Sequence, residues 1–538
     1  MTTSAPRSGP VHPRWLAALV GVLSTLSGAG VAHLTAAILA PAASPVVAVG
    51  SVVIDRTPTP VKEWAIATFG SADKPILLGS VTVVTLLLAA GCGLLARRRP
   101  GAGAVGLVAL TALAGAAAVT RPGASGSAAL PALSAAAVGV SVLVLLDTLA
   151  RRWAGSGSPQ AEGVARGEGS EQSGPTTLGP QARPTSAGVA RRAFLGAAAG
   201  AAVLGTAAAI MGQRIVVAGR AMVRALPGVS APLPPLPAGL ETTVPGVTPL
   251  VTPTADFYRV DTALVLPRVD VDAWRLRIDG DVETPLELTY ADLLDMDLVE
   301  RDITMTCVSN EVGGGYVGAA RWTGVLTADL LRRAGVRSGA DQILSTSVDG
   351  YTASTPVAAL LDDRDALVAV GMNGLSLDAV HGFPARLVTP GLYGYVGATK
   401  WLTTLTATTF DARKAYWTRR GWADRAPIKP MARIDTPLAL RTIPRGRTAI
   451  GGVAWAQRRG IDRVEVQIDE EPWQTARLGP DVTIDYWRQW WLPWDPEPGQ
   501  HTLRARVVDG SGQVQTADRA KPFPDGASGI HEVVVTVA

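Results

Sequence analysis

Residues 303–311, ITMTCVSNE, end a strand-like apolar run at Cys307, one of only two cysteines in a chain of 538 residues. Two cysteines exclude a disulfide scaffold and a cysteine-rich zinc module. Taken alone, Cys307 fits three interpretations. It is a buried apolar side chain, the nucleophile of a Cys–His pair with a residue such as His381, or a thiolate ligand to a soft metal whose other ligands belong to a cofactor.

The segments on either side of this cysteine predict a mixed domain of helices and strands over residues 251–428. Residues 274–280 (WRLRIDG) alternate like a half-buried strand that ends in a turn. Thr289 is suited to cap a short helix that follows it, and residues 327–334 indicate a second helix closed by a glycine. We therefore expect an α+β fold for this part of the chain.

Residues 429–538 have a different pattern, in which short strand-like runs alternate with turn residues and no helical period is present. The runs cover residues 448–455, 464–468, 486–492, 502–508 and 532–537. They predict an antiparallel β-sandwich of the immunoglobulin-like type. The cluster of Trp487, Trp490, Trp491 and Trp494 is interpreted as core plus subunit interface rather than as a binding surface.

The first 150 residues contain only 13 charged side chains, whereas the other 388 residues contain 81. Four apolar stretches in residues 1–150 are long enough to span a bilayer, which takes about 20 residues. They are residues 15–40, 75–96, 102–120 and 127–150, and the shorter run 46–54 is interpreted as interfacial. Arginine clusters after the second and fourth stretches place those ends in the cytoplasm. Only His12 and His33 occur here, so a haem between facing histidines is not indicated.

The segment that follows predicts export of the remaining chain. Residues 151–190 are rich in Gly, Ser, Pro and Gln and predict a flexible cytoplasmic linker. Residues 191–213 begin RRAFLG, which resembles a twin-arginine export signal, and an ordinary fifth transmembrane helix is the alternative. That export route carries folded proteins, so the chain beyond it is expected outside the cell membrane with a cofactor in place. Residues 214–250 are dense in proline and predict a semi-extended tether.

A series of motifs, in matching order and at matching separations, resembles the sulfite oxidase family of molybdopterin enzymes. The motifs are T-C-x-x-N at 306–310, R-W-T-G-V at 321–325, G-Y-T-A-S-T-P at 350–356, M-N-G at 372–374, H-G-F-P-A-R at 381–386, P-G-x-x-G at 390–394 and K-W-L at 400–402. The likeness runs through residues 252–402 and continues more weakly to about residue 535. The predicted sandwich resembles the dimerisation domain of that family.

The resemblance implies one molybdenum–molybdopterin cofactor per chain, with Cys307 as the metal ligand and Tyr351 as the active-site tyrosine. It also implies a set of residues that contact the pterin or its phosphate: Tyr258, Arg259, His381, Arg386, Thr399 and Lys400. Arg386 is suited to give a phosphate a forked pair of hydrogen bonds, and Lys400 a point charge. The implied partners are a small substrate, the lipid bilayer, a quinone-linked or haem-containing redox partner and a second copy of the chain. No haem is expected in this chain.

The pattern departs from sulfite-oxidising members of the family where the substrate would bind. Arginines follow the C-x-x-N motif in those members, whereas Glu311 and Val312 stand here, followed by three glycines. The family's V-R-N-H is replaced by R-V-D-T at residues 259–262. We predict a substrate pocket that includes Glu311, Val312 and Trp322. A carboxylate there would repel an anion, so we expect a neutral or cationic substrate rather than sulfite.

These observations predict a membrane-anchored molybdopterin oxidoreductase whose catalytic domain faces the cell exterior. Two other function classes stay open on sequence alone. The first is a hydrolase with a Cys307–His381 pair, and the second is a cofactor-free binding or sensor module that uses the tryptophan-rich sandwich. The net charge of only +4 gives no indication of nucleic-acid binding.

Overall fold

The computed structural model describes residues 12–69, 72–121, 124, 126–156, 186–218 and 225–538. The chain divides into two compact units, Met1–Gly219 and Arg220–Ala538. The described part of the first unit is helical, and the second unit is built mainly from β-sheets.

Seven α-helices make up the described part of the first unit. They are α1 (Arg14–Leu39), α2 (Pro45–Arg56), α3 (Thr59–Phe69), α4 (Asp73–Arg98), α5 (Pro100–Val119), α6 (Leu130–Ser156) and α7 (Ser186–Ala218). Helices α1, α4, α5, α6 and α7 are long and apolar enough to cross a membrane, which confirms the predicted segments as helices of spanning length. Helix α2 covers the run interpreted as interfacial. Helix α3 was not predicted, because lysine, glutamate and threonine interrupt its apolar residues.

Small residues allow these helices to approach one another closely. Gly21 on α1 lies so near α4 that an added Cβ atom would be 2.1 Å from the carbonyl oxygen of Ala89. Glycine and alanine at such positions are what let apolar helices pack in a membrane. Most of the predicted linker, residues 157–185, lies outside the described residues. Its two ends belong to α6 and α7, so α7 begins before the arginine pair of the predicted export signal.

The proline-dense segment lies against the second unit from Leu226 onward. Leu226 packs against the apolar core, and the N–H of Leu233 donates to Glu300 Oε2 at 2.9 Å. Arg321 donates to the carbonyl oxygens of Leu233 and Pro234, at 3.3 and 2.9 Å. Residues 225–239 form no helix or strand, as the prolines predict. The segment is therefore docked along the domain rather than suspended as a free tether.

The first half of the second unit contains two five-stranded sheets, in the order β2-β1-β10-β5-β6 and β3-β4-β7-β8, with β9 also paired to β7. The strands are β1 (Arg275–Gly280), β2 (Leu286–Thr289), β3 (Val299–Thr306), β4 (Val317–Leu326), β5 (Gln342–Ser347), β6 (Thr352–Pro356), β7 (Leu367–Met372), β8 (Leu375–Ser376), β9 (Arg386–Val388) and β10 (Leu402–Thr408). The short helices are α8 (Tyr290–Leu294), α9 (Thr327–Ala334), α10 (Val357–Leu361) and α11 (Gly394–Gly397). This arrangement confirms the predicted α+β fold.

Local signals in the sequence act as expected in this domain. Thr289 caps α8 in a reciprocal capping box with Asp292, which satisfies two backbone donors at the helix start. Helix α9 ends at Gly335, whose φ of +69° is a left-handed conformation that glycine adopts without strain. Strand β7 (LVAVGM) is buried at every position, as expected for a strand covered on both faces.

The second half is a β-sandwich of two sheets, in the order β11-β13-β17-β16 and β12-β19-β18-β14-β15. The strands are β11 (Met431–Thr436), β12 (Thr442–Ile443), β13 (Thr448–Trp455), β14 (Ile461–Ile468), β15 (Gln474–Thr475), β16 (Arg477–Leu478), β17 (Arg488–Trp494), β18 (Gly499–Asp509) and β19 (His531–Val537). Trp487, Trp490 and Trp494 are buried, which confirms the core part of their interpretation, whereas Trp491 is half-buried. The subunit interface stays a prediction.

The α+β domain and the sandwich share one apolar cluster. Val308 and Val317, at the two ends of the β3–β4 connection, pack in this cluster with Trp455 and Trp487 of the sandwich. The N–H of Trp487 also donates to Thr304 Oγ1 at 2.7 Å. The end of β3, where the cysteine lies, is therefore held partly by the sandwich.

Candidate active site

Cys307 is the first residue after β3, in the loop 307–316 that connects β3 to β4. Its N–H donates to the carbonyl oxygen of Tyr316 at 2.9 Å, which closes the loop at its base. The side chain of Asn310 lies inside the loop, where its Oδ1 accepts from the Tyr316 N–H at 2.8 Å. Burial raises the pKa of the Cys307 thiol, although hydrogen bonds from Ser309 act in the opposite direction. Without a metal, the sulfur therefore carries its proton at neutral pH.

Buried polar atoms without a hydrogen-bond partner occur on both elements that contribute to this site. Thr306 Oγ1 and Asn310 Nδ2 are unpaired beside Cys307, and Arg386 Nε and Thr389 Oγ1 are unpaired on and just after β9. Proteins rarely leave buried donors and acceptors unsatisfied. Such atoms indicate a place where a polar ligand supplies the missing partners.

Arg386 begins β9 and is buried, with a residue exposure of 5%. Its Nη1 donates to the carbonyl oxygen of His381 at 3.1 Å, and its guanidinium lies 5.0 Å from the ring centroid of Trp322. No carboxylate in the described part of the chain is hydrogen-bonded to it, although Asp378 lies within electrostatic reach and opposes the effect of burial on its pKa. Burial lowers the pKa of Arg386 to about 10, so the side chain remains charged at neutral pH. A buried, unpaired cation of this kind favours a bound anion.

Lys400 lies close to Arg386, and both of its identified polar partners are oxygen atoms. Lys400 Nζ donates to Asp261 Oδ2 at 2.7 Å and to the carbonyl oxygen of Val380 at 3.3 Å. Arg259 Nε donates to the same carboxylate oxygen of Asp261 at 2.8 Å. Burial lowers the pKa of Lys400 to about 8, with Arg386 and Arg259 acting in the same direction and Asp261 opposing them. One carboxylate therefore serves two of the predicted phosphate-binding cations.

His381 is buried between Arg386 and the start of the domain. Its Nε2 lies 2.8 Å from the carbonyl oxygen of Thr254, so this nitrogen carries a proton and donates it. Its backbone N–H donates to Asp378 Oδ1 at 2.7 Å. Burial lowers the pKa of His381, which keeps the ring neutral. A hydrolytic Cys–His pair requires a hydrogen bond between the two side chains. Among the described residues, no such bond joins His381 to Cys307.

Two predicted tyrosines approach Cys307. The ring of Tyr258 stacks on Phe257. Burial raises the pKa of Tyr258, and the charge of a Cys307 thiolate acts in the same direction, whereas the charge of Arg386 opposes both. Tyr258 therefore lies within the electrostatic reach of both Cys307 and Arg386. The pKa of Tyr351 is raised by burial and then by Cys307, and its hydroxyl donates to the carbonyl oxygen of Tyr395 at 3.2 Å. Both phenols stay protonated at neutral pH.

The other predicted site residues have different surroundings. Thr399 is fully buried, and its Oγ1 lies 2.7 Å from Ser345 Oγ, so its hydroxyl is used within the core. Trp322 is also fully buried and packs beneath Arg386, which gives its ring no exposed surface toward a substrate. Glu311 is exposed on the cysteine loop, whereas Val312 is half-buried against the sandwich.

Three further residues belong to the site, although sequence reasoning did not select them. Asp261 binds Lys400 and Arg259, and only its place in the altered R-V-D-T motif marked it. Asn310, quoted as part of the cysteine motif, organises the loop through its side chain. Burial raises the pKa of Tyr393 to about 12, with the charge of Asp525 and then that of Cys307 contributing, and in the sequence this residue occupies a variable position of the P-G-x-x-G motif.

The donor set fits a metal whose other ligands are brought by a cofactor. Among the described residues no group of three or more His, Cys, Asp or Glu side chains is placed to hold a metal ion. The site offers one sulfur, at Cys307, and a buried cation at Arg386 with an unpaired Nε, and Tyr258 interacts electrostatically with both. A molybdopterin has dithiolene sulfurs at one end and a phosphate at the other, and these chemical groups match the two ends of the site.

Comparison with known proteins gives the same assignment. Residues 263–417 match the family model described as the oxidoreductase molybdopterin binding domain. Human mitochondrial sulfite oxidase is 28% identical over 316 residues, covering 49% of this chain and 57% of the relative. The NADH nitrate reductase of Ulva prolifera is 33% identical over 178 residues, covering 28% of this chain and 20% of the relative. This chain thus spans little more than half the length of the sulfite oxidase.

Among solved structures, the sulfane dehydrogenase SoxCD of Paracoccus pantotrophus aligns with 54% of this chain and 83% of its own, at 24% identity and a TM-score of 0.47. The assignment does not use this structural similarity. It rests on the family model, the sulfite oxidase relatives and the geometry around Cys307 and Arg386. The chain therefore carries an oxidoreductase molybdopterin binding domain that is similar to that of the sulfite oxidases.

Proposed function

We propose that this protein is a membrane-anchored, extracytoplasmic molybdopterin-dependent oxidoreductase that acts on a small substrate other than sulfite. The observation that carries the proposal is the buried guanidinium of Arg386, which has a free Nε and no hydrogen-bonded carboxylate in the described structure. A buried charge without a partner is strongly unfavourable, so its presence indicates an anionic ligand. The phosphate of a pterin cofactor is the anion that the domain family supplies.

In this proposal the chain binds one cofactor between Cys307 and the cations of β9 and the Lys400 loop. Cys307 gives up its proton when its sulfur ligates the metal, because a metal ligand must be the thiolate. Arg386 donates to the phosphate, with Arg259, Lys400 and His381 around it. When bound, the cofactor supplies a redox-active metal that exchanges an oxygen atom or two electrons with the substrate.

The remaining site residues complete this arrangement. Tyr258 interacts electrostatically with both Cys307 and Arg386, and Tyr351 keeps its proton, which it donates to the carbonyl oxygen of Tyr395. Thr399 supports the loop before Lys400 through its hydrogen bond to Ser345.

The proposed substrate is neutral or cationic, because the exposed charged side chain on the cysteine loop, Glu311, is negative. Glu311 is exposed on the loop, four residues after Cys307 in the chain. A carboxylate at this position lowers the local concentration of an anion such as sulfite and raises that of a cation. Sulfoxide-like and N-oxide-like compounds meet this requirement, and so do neutral substrates that the enzyme oxidises.

The proposed location follows from the helices and their flanking charges. The described part of the chain contains five helices of spanning length, with arginines at the ends of α4 and α6, and these favour an anchored chain whose second unit lies outside the membrane. The twin-arginine-like start of residues 191–213 supports export of a folded, cofactor-loaded domain. A quinone-linked or haem-containing protein would exchange electrons with it, and the immunoglobulin-like sandwich would join two copies.

The molybdenum and pterin content of the full-length protein tests this function. We expect about one molybdenum and one pterin per chain from a molybdenum-sufficient host, and loss of both in Cys307→Ala. The matched control is Cys92→Ala, which removes the chain's other cysteine, on α4, and leaves the content unchanged. A folded wild-type protein without either component would contradict the proposal and favour a cofactor-free binding module.

A further inference from the structure

The loop that carries Cys307 is held from outside by two polar side chains of the β-sandwich. Arg433 on β11 donates through Nη1 to the carbonyl oxygen of Gly314 at 3.0 Å. His531 on β19 lies directly against Gly313, where an added Cβ atom would be 2.2 Å from the histidine Nε2. Both contacts fall on the three-glycine segment of the loop, which follows the residues at the predicted substrate position.

Arg433 is fixed well enough to act as a rigid support. Its Nε donates to Asp435 Oδ1 at 2.6 Å and its Nη2 donates to Thr248 Oγ1 at 2.8 Å. Its side chain is 11% exposed. A planar guanidinium held at two other points has little freedom left, so the direction of the Nη1 donor toward Gly314 is set before the loop binds to it.

His531 presents a neutral ring to the loop. Its Nδ1 accepts a hydrogen bond from the N–H of Ile434 at 2.9 Å, which leaves the proton on Nε2, the nitrogen facing Gly313. Burial, followed by the positive charges of Arg433 and Arg519, lowers the pKa of His531 to about 4, and Asp435 acts in the opposite direction. The ring therefore packs on the loop without adding a second cation beside Arg433.

The glycines are required by this packing and by the loop itself. Gly313 has a φ of +81°, which side chains other than glycine adopt only with strain, and the His531 ring fills the space where a Cβ would lie. At Gly314 a Cβ would come within 2.6 Å of Asn310 Oδ1. The segment is thus shaped to receive the sandwich on one side and the Asn310 side chain on the other.

We infer that Arg433 and His531 are positioning residues for Cys307: the sandwich sets the conformation of loop 307–316 and, through it, the direction and shielding of the sulfur. The importance of this positioning rests on the proposed function, because only a thiolate that binds a metal has to be held in one place. The contacts themselves do not depend on any metal. The C-terminal domain is therefore part of the active-site scaffold as well as a folding unit.

The alkylation rate of Cys307 in full-length protein from molybdenum-starved cells tests the inference. Modification by iodoacetamide is read at the Cys307 peptide by mass spectrometry, so Cys92 does not interfere. Arg433→Met removes the donor to Gly314, and we expect Cys307 to react about tenfold faster, the change that corresponds to loss of one charge-assisted hydrogen bond. Arg433→Lys keeps a charged donor, and its rate is expected between those of the methionine variant and the wild type.

The matched control is Arg463→Met on the sandwich strand β14, where the arginine pairs with Asp462 and Glu465 at the surface. We expect this control to leave the Cys307 rate unchanged and every variant to unfold cooperatively. Arg433→Met also removes the ion pair with Asp435 and therefore loses some thermal stability, so the rates are compared well below the midpoint of each variant. Equal Cys307 rates in Arg433→Met and the wild type, with cooperative unfolding, would overturn the inference. So would an equal rise in the Arg463→Met control.

A second pair of variants examines the contact at Gly313. Gly313→Ala alone is expected to raise the Cys307 rate, because the new methyl group displaces the loop from His531. Adding His531→Ala removes the ring that the new methyl group meets. Cys307 in the double variant should therefore react more slowly than in Gly313→Ala alone. A faster reaction in the double variant would contradict the proposed contact. Because the alkylation uses protein without metal, it can succeed even if the wild-type protein never binds molybdenum, and the two proposals therefore fail separately.

Discussion

Replacing Arg386 with methionine is expected to change stability and cofactor binding in opposite directions. Burial lowers the pKa of Arg386 to about 10, well below the usual value of an arginine. At 1.36 kcal/mol per pKa unit, holding the charge in the folded, cofactor-free protein costs about 3 kcal/mol. A methionine removes that cost and keeps an apolar chain over the ring of Trp322.

The gain is partly offset, because the carbonyl oxygen of His381 loses its donor. An unsatisfied buried acceptor of this kind costs about 1 kcal/mol. The net stabilisation of the cofactor-free protein is therefore about 2 kcal/mol. For a folded unit of roughly 320 residues, this raises the thermal midpoint by about 3 °C.

The same variant is expected to lose cofactor. A charge-assisted hydrogen bond to the phosphate is worth roughly 1.5 to 3 kcal/mol, so binding weakens by about ten- to a hundredfold. The assay compares thermal unfolding of protein from molybdenum-starved cells with pterin content from molybdenum-sufficient cells. The surface variant Arg463→Met serves as the control and should change neither quantity. A fall of several degrees in the cofactor-free Arg386→Met protein would refute the idea that this charge awaits an anion.

Three other substitutions give distinct results. His531 is neutral in the folded protein, where its pKa is about 4. Below pH 6.5 the unfolded chain therefore binds a proton that the folded chain does not, and the free energy of unfolding falls as the pH drops toward 4. His531→Gln should reduce the decrease in thermal midpoint between pH 7 and pH 4.5. Lys400 has a pKa of about 8, so its charge is lost in the folded protein as the pH rises to 9; cofactor retention in dialysis should weaken over that range in the wild type and stay constant in Lys400→Arg, and an equal decline in both would exclude a contribution from this lysine. Glu311→Arg should raise kcat/KM for sulfite relative to a neutral sulfoxide by about tenfold, because it replaces a repulsive charge by an attractive one; an unchanged ratio would place Glu311 outside the substrate's reach.

The parts of the fold that could be predicted are those fixed by local chemistry. Thr289 caps its helix because a threonine and an aspartate three residues later satisfy each other's backbone donors. The spanning helices follow from composition and length alone. The strand Thr448–Trp455 matches its predicted bounds because turn residues delimit it on both sides.

The parts that could not be predicted depend on contacts between residues distant in the chain. Asp261 meets Lys400 across 139 positions, so no local pattern indicates that this lysine is already paired. Trp322, predicted in the substrate pocket, lies beneath Arg386 because β4 and β9 both pair with β7. The support of the cysteine loop by Arg433 likewise appears only when the two domains are packed together.

The number of sulfur atoms around the molybdenum tests the central claim most directly. X-ray absorption at the molybdenum edge of the full-length, cofactor-loaded protein counts these ligands. If Cys307 binds the metal, the spectrum will show one sulfur more than the dithiolene of the cofactor supplies, and alkylation of Cys307 will be blocked in the loaded protein. A spectrum with the dithiolene sulfurs alone, together with a freely reactive Cys307, would contradict the account.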